Sequence, residues 1–167
     1  MTPIDKAIRT GRRLTRNASS AAATAVAGGE TLQAAGDVIS ARLEMMAAGL
    51  ADPRKLDLKE MALMGSEKVE ALSASASAMA RSLGDIGGRV GASLMTEAGL
   101  ASQAATAMAS AGSPAEALQA QYSYAVGWWG RAAGQMLALN TELLKGHANA
   151  LRPIHQTAVA NAKRLRK

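Results

Sequence analysis

The stretch from Glu60 to Val90 decides the fold class, and it reads EMALMGSEKVEALSASASAMARSLGDIGGRV. Apolar residues in it alternate steps of three and four residues, at Val69, Leu72, Ala76, Met79, Leu83, Ile86 and Val90. This period is typical of an amphipathic helix with a coiled-coil seam. Alanine and serine fill most of the neighbouring positions, and alanine is the strongest helix former. We therefore predict a long helix with one apolar seam.

A second seam of the same period follows Pro114. Its members are Leu118, Tyr122, Ala125, Trp129, Ala132, Met136, Leu139 and Leu143. Asp52-Pro53 and Ser113-Pro114 each place an N-cap residue before a proline that suits the first helical position. We therefore predict that helices begin at Pro53 and Pro114. A looser apolar stripe of Leu32, Val38 or Ile39, Leu43 and Met46 predicts an earlier helix from about Glu30 to Gly49.

Two interruptions are expected in these helices. Gly84, Gly87 and Gly88 each disfavour helix relative to alanine by about 1 kcal/mol, which predicts a bend or hinge. Pro153 disfavours helix in the residue before it, which predicts that the last long helix ends before Arg152.

Strand patterns with alternating polarity and hairpin turns are absent from the sequence. The predicted fold class is all-α, with elongated amphipathic helices in a helical-hairpin or coiled-coil-like bundle and flexible basic ends. The predicted divisions are a flexible basic arm over residues 1–16, a helical domain over residues 17–151, and a basic tail or short helix over residues 152–167.

Positive charge is concentrated at the two ends of the chain. Residues 1–16 carry a net charge of +4 and residues 152–167 carry +5, whereas the body between them is net negative. Basic ends can bind nucleic acid or another anionic surface, or they can simply solvate the termini. The candidate nucleic-acid contacts are Arg9, Arg12, Arg13, Arg16, Lys163, Arg164, Arg166 and Lys167.

Signals for catalysis and for bound cofactors are nearly absent. There is no cysteine, and His147 and His155 lack the acidic neighbours of a zinc-protease helix. We interpret both histidines as exposed, and Glu67 with Glu70 as part of a solvated face. We predict no catalytic residue, no cofactor and no metal. No run of 18 strongly apolar residues occurs, so we also predict no membrane-spanning helix.

Between Ser93 and Gly127 the only charged residues are Glu97 and Glu116. Such a segment can adsorb to an apolar surface, or it can pack as an alanine seam between helices. Likewise, Tyr122, Trp129 and Met136 can form the core of the last helix pair, or a tryptophan can anchor the chain at an interface. The candidate residues for surface binding or self-association are Val69, Leu72, Met79, Leu83, Ile86, Val90, Tyr122, Trp128, Trp129 and Met136.

Three blocks of sequence resemble the phasins, a family of bacterial proteins that coat polyhydroxyalkanoate storage granules. They are VISARLEM at residues 38–45, EMALMGSEKVEALSAS at residues 60–75, and PIHQT at residues 153–157 with Ala160-Asn161 and Arg164-Leu165. The chain departs from the pattern at Leu72, where phasins often have an aromatic residue.

The resemblance implies a helical, homo-oligomeric, cytoplasmic protein without enzyme activity that lies on the granule surface, limits granule coalescence and meets granule-associated enzymes. Two other functions stay open at this point. One is a small nucleoid-associated protein that binds DNA through its basic ends, with affinity that falls steeply with salt. The other is a protein of lipid surfaces.

Overall fold

Helices account for nearly all of the chain in the computed structural model, which describes residues 3–55 and 58–166. Helix α1 spans Pro3–Ala51, a short 3-10 turn spans Pro53–Lys55, α2 spans Leu58–Ala109 and α3 spans Pro114–Leu165. The described ranges contain no strand. The predicted all-α class is therefore confirmed, with long helices packed side by side.

The chain divides into two compact units. One comprises Met1–Arg81 with Leu144–Lys167, and it contains α1 together with parts of α2 and α3; we call it the three-helix unit. The other comprises Ser82–Leu143, and it contains the end of α2, the connection and the start of α3; we call it the hairpin unit. Each unit is described separately below.

The core of the three-helix unit forms between α1 and α3. Ala34 and Val38 of α1 and Ala162 of α3 are buried together, and Ala158 and Leu165 pack against them. Val38 is 7% exposed and its neighbour Ile39 is 58% exposed. Val38 rather than Ile39 is therefore the buried member of the predicted α1 stripe. Because most core members are alanine, the helices approach closely and each side chain buries little area.

The connection between α2 and α3 is short and capped on both sides. Ser113 Oγ accepts a hydrogen bond from the backbone N–H of Glu116 at 3.2 Å. The Glu116 carboxylate in turn accepts one from the backbone N–H of Gly112 at 2.8 Å. This reciprocal arrangement resembles a capping box. It begins α3 at Pro114, and the predicted start of that helix is confirmed.

The structure corrects the predicted flexible arm. Helix α1 includes residues 3–16 rather than beginning near Glu30. Pro3 suits a first helical position, and Asp5 in the first turn interacts favourably with the helix dipole. The arginines that follow are good helix formers. The N-terminal basic segment is therefore a helix, and the side chains of its four arginines are exposed.

Three further boundaries differ from the predictions. Pro53 begins a 3-10 turn, in which Asp52 Oδ1 accepts a hydrogen bond from the Arg54 N–H at 3.1 Å, and α2 starts only at Leu58. Helix α2 continues without a break through residues 84–88, where a hinge was predicted. Helix α3 continues through Pro153, where an end was predicted. Buried Ala150 and Ala162 on either side of Pro153 pack that segment into the unit, which offsets the missing hydrogen bond.

Candidate functional site

The two helices of the hairpin unit face each other through mostly small side chains. The partly buried positions of α2 include Ser82, Ser93, Glu97, Ala101, Ala104 and Met108, and those of α3 include Ala117, Ala120, Tyr124, Gly127, Arg131, Gln135 and Ala138. From Ser93 onward in the α2 set, and throughout the α3 set, these residues recur at three or four residues, which places each set on one face of its helix. We call these the inward residues. The alanine-seam interpretation of this segment therefore describes the packing within the chain.

One polar cluster crosses the hairpin among these small residues. The Glu97 carboxylate accepts hydrogen bonds from Arg131 Nη2 at 2.7 Å, from Arg131 Nε at 2.8 Å and from the Tyr124 hydroxyl at 2.9 Å. The Arg131 guanidinium also lies 5.6 Å from the centre of the Tyr124 ring. The hydrogen bonds from Arg131 lower the pKa of Glu97, and the bond to Glu97 raises the pKa of Tyr124. This bidentate pair fixes the register of α2 against α3.

Large apolar side chains of the hairpin unit lie outside this contact. Leu94 is 66% exposed, Leu118 67% and Met136 69%. Each of them directly follows an inward residue in the sequence: Leu94 follows Ser93, Leu118 follows Ala117, and Met136 follows Gln135. Leu83 and Trp128 likewise follow Ser82 and Gly127, and Leu143 follows Glu142, which is partly buried and pairs with Arg89 of α2. We call these exposed side chains the apolar stripe.

Helix geometry places the apolar stripe on one side of the hairpin. One residue corresponds to a rotation of about 100°, so each stripe residue is turned in the same sense from the inward face of its own helix. The helices are antiparallel, because Glu97 pairs with Arg131 while Arg89 pairs with Glu142. The same sense of rotation about two opposite axes leads to the same side. Residues from α2 and α3 thus form one apolar face.

The residues predicted for surface binding can now be placed. Those exposed are Val69, Leu72, Met79, Leu83, Val90, Tyr122, Trp128, Trp129 and Met136, and Ile86 is partly buried. The interpretation of Tyr122, Trp129 and Met136 as the core of the last helix pair is wrong for the single chain. Most large members of the two coiled-coil seams are likewise exposed, and only Ile86, Ala132 and Leu139 among those in the hairpin unit are partly buried.

The two adjacent tryptophans both reach solvent. Their ring centres lie 4.9 Å apart at an interplanar angle of 77°, an edge-to-face arrangement. Trp128 is 39% exposed and Trp129 is 69% exposed. An exposed aromatic pair on a helix that also exposes Leu118 and Met136 is suited to anchoring a protein at an interface between water and an apolar phase.

An ion-pair network in the three-helix unit was missed by sequence reasoning. Glu60, which is 5% exposed, pairs with Arg42 of α1 at 3.1 Å and with Arg164 of α3 at 3.0 Å. Glu67 pairs with the same two arginines at 3.6 Å and 2.6 Å, and the hydrogen bond from Arg164 lowers its pKa. Glu67 therefore links the three helices, and its assignment to a solvated face is wrong. Glu70 is exposed as predicted.

The two basic ends differ in how their side chains are used. Arg9, Arg12, Arg13 and Arg16 are exposed on α1. At the other end, Arg164 binds Glu60 and Glu67, Arg166 binds Asp37, and Lys163 is exposed. Lys167 lies outside the described residues. The C-terminal arginines thus hold helices together, whereas the N-terminal ones face solvent.

The two histidines also differ in exposure and in their contacts. His147 is exposed as predicted. His155 is not an exposed tail residue, because it is partly buried, with Nδ1 3.0 Å from Thr31 Oγ1 and Nε2 3.5 Å from Glu30. It joins α3 to α1 in the three-helix unit.

Metal-ligand clusters of three or more residues are absent from the described part of the chain. Within the same ranges, no helix is both long enough and apolar enough to cross a membrane. Comparison of the chain with protein-family models, with curated proteins and with solved structures gave no match. The phasin resemblance therefore depends on the sequence blocks quoted above.

Proposed function

We propose that this protein is a non-catalytic coat protein that adsorbs to the surface of polyhydroxyalkanoate granules through the apolar stripe of its hairpin unit, and so limits granule coalescence. The observation that carries the proposal is the exposure of large apolar residues along one side of the hairpin. Exposed apolar surface of this extent is a mark of an interaction site. The phasin resemblance supplies the polymer as the surface.

The opposite side of the hairpin supports the same function because it has more polar side chains, although Val126, which precedes Gly127, is exposed there as well. Thr96, Gln103 and Ser123 are exposed, and each directly precedes an inward residue. Rotation in the other sense therefore directs them away from the apolar stripe. A hairpin with one apolar and one polar side can lie at a boundary between polymer and water. Its polar side would then cover the granule and keep two granules from merging.

We also propose that copies of the chain associate with one another through the apolar stripe. Leu83, Leu118, Met136 and Leu143 of the stripe belong to the two seams whose heptad spacing suits packing against further helices. In the absence of polymer, a homo-oligomer would bury them. The function thus predicts competition between self-association and adsorption.

Sedimentation with polyhydroxybutyrate particles tests adsorption. We expect the full chain to bind the particles and to stay bound in high salt, because burial of apolar surface is not screened as charge contacts are. The variant Leu118→Glu/Met136→Glu should bind at least tenfold more weakly, because it places two charges in the stripe. Gln103→Glu/Ser123→Glu adds the same charge to the polar side and is the matched control.

Equal losses in the two double variants would contradict the proposed face. Release of the unmodified chain at moderate salt would assign adsorption to charge contacts and contradict the apolar mechanism. Particle-turbidity measurements with and without protein test the second half of the proposal. Coated particles should merge more slowly than bare ones.

A DNA-binding function through both basic ends is less well supported. Arg164 and Arg166 are engaged with carboxylates of α1 and α2, so they are poorly placed to neutralise phosphates. Of the candidate nucleic-acid contacts that the structure describes, the four N-terminal arginines and Lys163 are the exposed ones for which no carboxylate partner is found here, and these are too few and too separated in sequence to favour DNA as the main partner.

A further inference from the structure

The first turns of α1 form a second amphipathic surface, separate in sequence from the hairpin unit. Ile4 is 70% exposed, Ile8 48% and Leu14 55%. At about 100° per residue, these side chains and Gly11 fall within one sector of roughly 120° on the helix. Arg9, Arg12, Arg13 and Arg16 fall in the opposite sector and are exposed as well. The segment over residues 4–16 thus has an apolar side and a basic side.

We propose that residues 4–16 of α1 bind the surface of an anionic phospholipid layer. The arginines would contact lipid phosphates, because guanidinium groups make charge-assisted hydrogen bonds to phosphate oxygens. The apolar side chains would enter the boundary between headgroups and acyl chains. The net charge of +4 over residues 1–16, with Asp5 included, provides the attraction to the anionic surface.

The apolar side distinguishes this partner from DNA. Duplex DNA would satisfy the arginines through its phosphates. It would leave Ile4, Ile8 and Leu14 in water. A lipid surface satisfies both sides of the same helix at once.

This inference is independent of the proposed coat function. A polyester surface is uncharged and is assigned to the apolar stripe, whereas the lipid surface is assigned to α1. Loss of one binding activity therefore leaves the other testable in the same protein.

Vesicle sedimentation with the full chain tests the inference. We expect binding to vesicles of equal parts phosphatidylglycerol and phosphatidylcholine, and at least tenfold weaker binding to pure phosphatidylcholine. Replacement of Arg9, Arg12, Arg13 and Arg16 by glutamine should abolish the preference for the anionic vesicles. Ile8→Ser/Leu14→Ser should weaken binding to them at least fivefold while leaving the charge unchanged.

The matched control replaces four exposed cations elsewhere by glutamine, namely Lys59, Lys68, Arg81 and Arg152. It lowers the net charge by the same amount, so retained vesicle binding shows that the site is local. Far-UV circular dichroism checks that every variant keeps its helix content, and polyhydroxybutyrate binding should be the same in all of them.

Three results would overturn the inference. The first is equal binding of the unmodified chain to both vesicle types. The second is equal loss in the control and in the arginine variant. The third is a gel shift of duplex DNA that needs the arginines but not Ile8 and Leu14, together with no vesicle binding, which would make the segment a DNA-binding helix.

Discussion

The three-helix unit and the hairpin unit are built from similar helices but bury their residues to different degrees. Every buried residue of the described chain lies in the three-helix unit, including Val38, Glu60 and Ala162. No residue between Ser82 and Leu143 is buried. Two helices shield only the side chains between them, and small side chains there leave room for solvent at the edges. A third helix is what creates an interior in this protein.

The two units also differ in the contacts that stabilise them and in the side chains that they expose. The three-helix unit has a small apolar core and an ion-pair network that joins all three helices. The hairpin unit has the Glu97 cluster, an Arg89–Glu142 pair and an alanine-rich contact, and it exposes large apolar side chains that include Leu94, Leu118, Met136 and Trp129. Segments with few buried contacts open at low free energy. We therefore expect the hairpin unit to be the less stable one and the better suited to rearrange on a surface.

The largest expected effect comes from a charge placed in the core of the three-helix unit. Val38→Asp should lower the free energy of unfolding by about 3 kcal/mol, because an unpaired charge would be buried. Ile39→Asp places the same charge one residue further on, at an exposed position. It should change stability by no more than about 0.5 kcal/mol. Urea unfolding followed by far-UV circular dichroism measures both, and equal effects would contradict the assigned core.

A smaller effect is expected from loss of the ion-pair network. Glu60→Ala should lower the free energy of unfolding by about 2 kcal/mol, because it removes charge-assisted hydrogen bonds to Arg42 and Arg164. Glu70→Ala, on the exposed side of the same helix, is the matched control and should be nearly neutral. If the two variants unfold at the same urea concentration, the network does not stabilise the unit.

Acid should weaken both units through their carboxylates, by less than the Glu60 substitution because Glu67 and Glu97 are partly exposed and screened by solvent. Both carboxyl groups have a pKa lowered below 4.5 in the folded chain. As the pH falls, these carboxyl groups are protonated at a higher pH in the unfolded chain than in the folded chain. Their contribution to stability is therefore present above pH 4.5 and is lost as the pH falls through their lower pKa values in the folded chain.

Unfolding midpoints measured from pH 7 to pH 3 give the slope for each unit. Glu67→Gln and Glu97→Gln should each reduce the loss of stability between pH 7 and pH 3, because glutamine has no carboxyl group to protonate. If Glu67→Gln leaves the pH dependence of stability unchanged, Arg164 does not form the ion pair with Glu67 in solution.

The smallest expected effect lies in the apolar stripe. Met136→Gln should change the stability of the monomeric chain by no more than about 0.5 kcal/mol, because Met136 is 69% exposed. Ala138→Gln, at a partly buried inward position two residues away, should destabilise the hairpin by about 1–3 kcal/mol through overpacking. Thermal unfolding at low protein concentration compares them. A larger effect at Met136 would mean that the stripe is a packed surface.

The sequence predicted the helices well because their signals are local. Ser113, Pro114 and Glu116 cap α3 with side chains that lie next to one another in the chain. Helix α1 was predicted too short, because the arginines among residues 3–16 indicated a flexible basic arm and only Ile4, Ile8 and Leu14 mark an apolar side there. The tendency of Pro153 to end helix α3 was overestimated. Packing of Ala150 and Ala162 opposes it, and only the tertiary structure shows that packing.

The orientation of the helices could not be predicted in the same way. The small inward residues and the large stripe residues of α2 have the same helical period, so periodicity alone does not show which set faces a neighbour. Hydrophobicity favoured the larger side chains, whereas the close approach of the helices requires the smaller ones. The ion-pair network gave no signal, because Arg42 and Arg164 lie far from Glu60 in the sequence.

The placement of the aromatic residues has a practical consequence for spectroscopy. Phenylalanine is absent from the chain, and its two tyrosines and two tryptophans all fall between Tyr122 and Trp129. Intrinsic fluorescence and near-ultraviolet dichroism therefore report on the hairpin unit alone, and the three-helix unit contributes nothing to either signal. A single unlabelled sample thus shows whether the hairpin opens while total helix content is unchanged, on a polymer particle as well as in free solution.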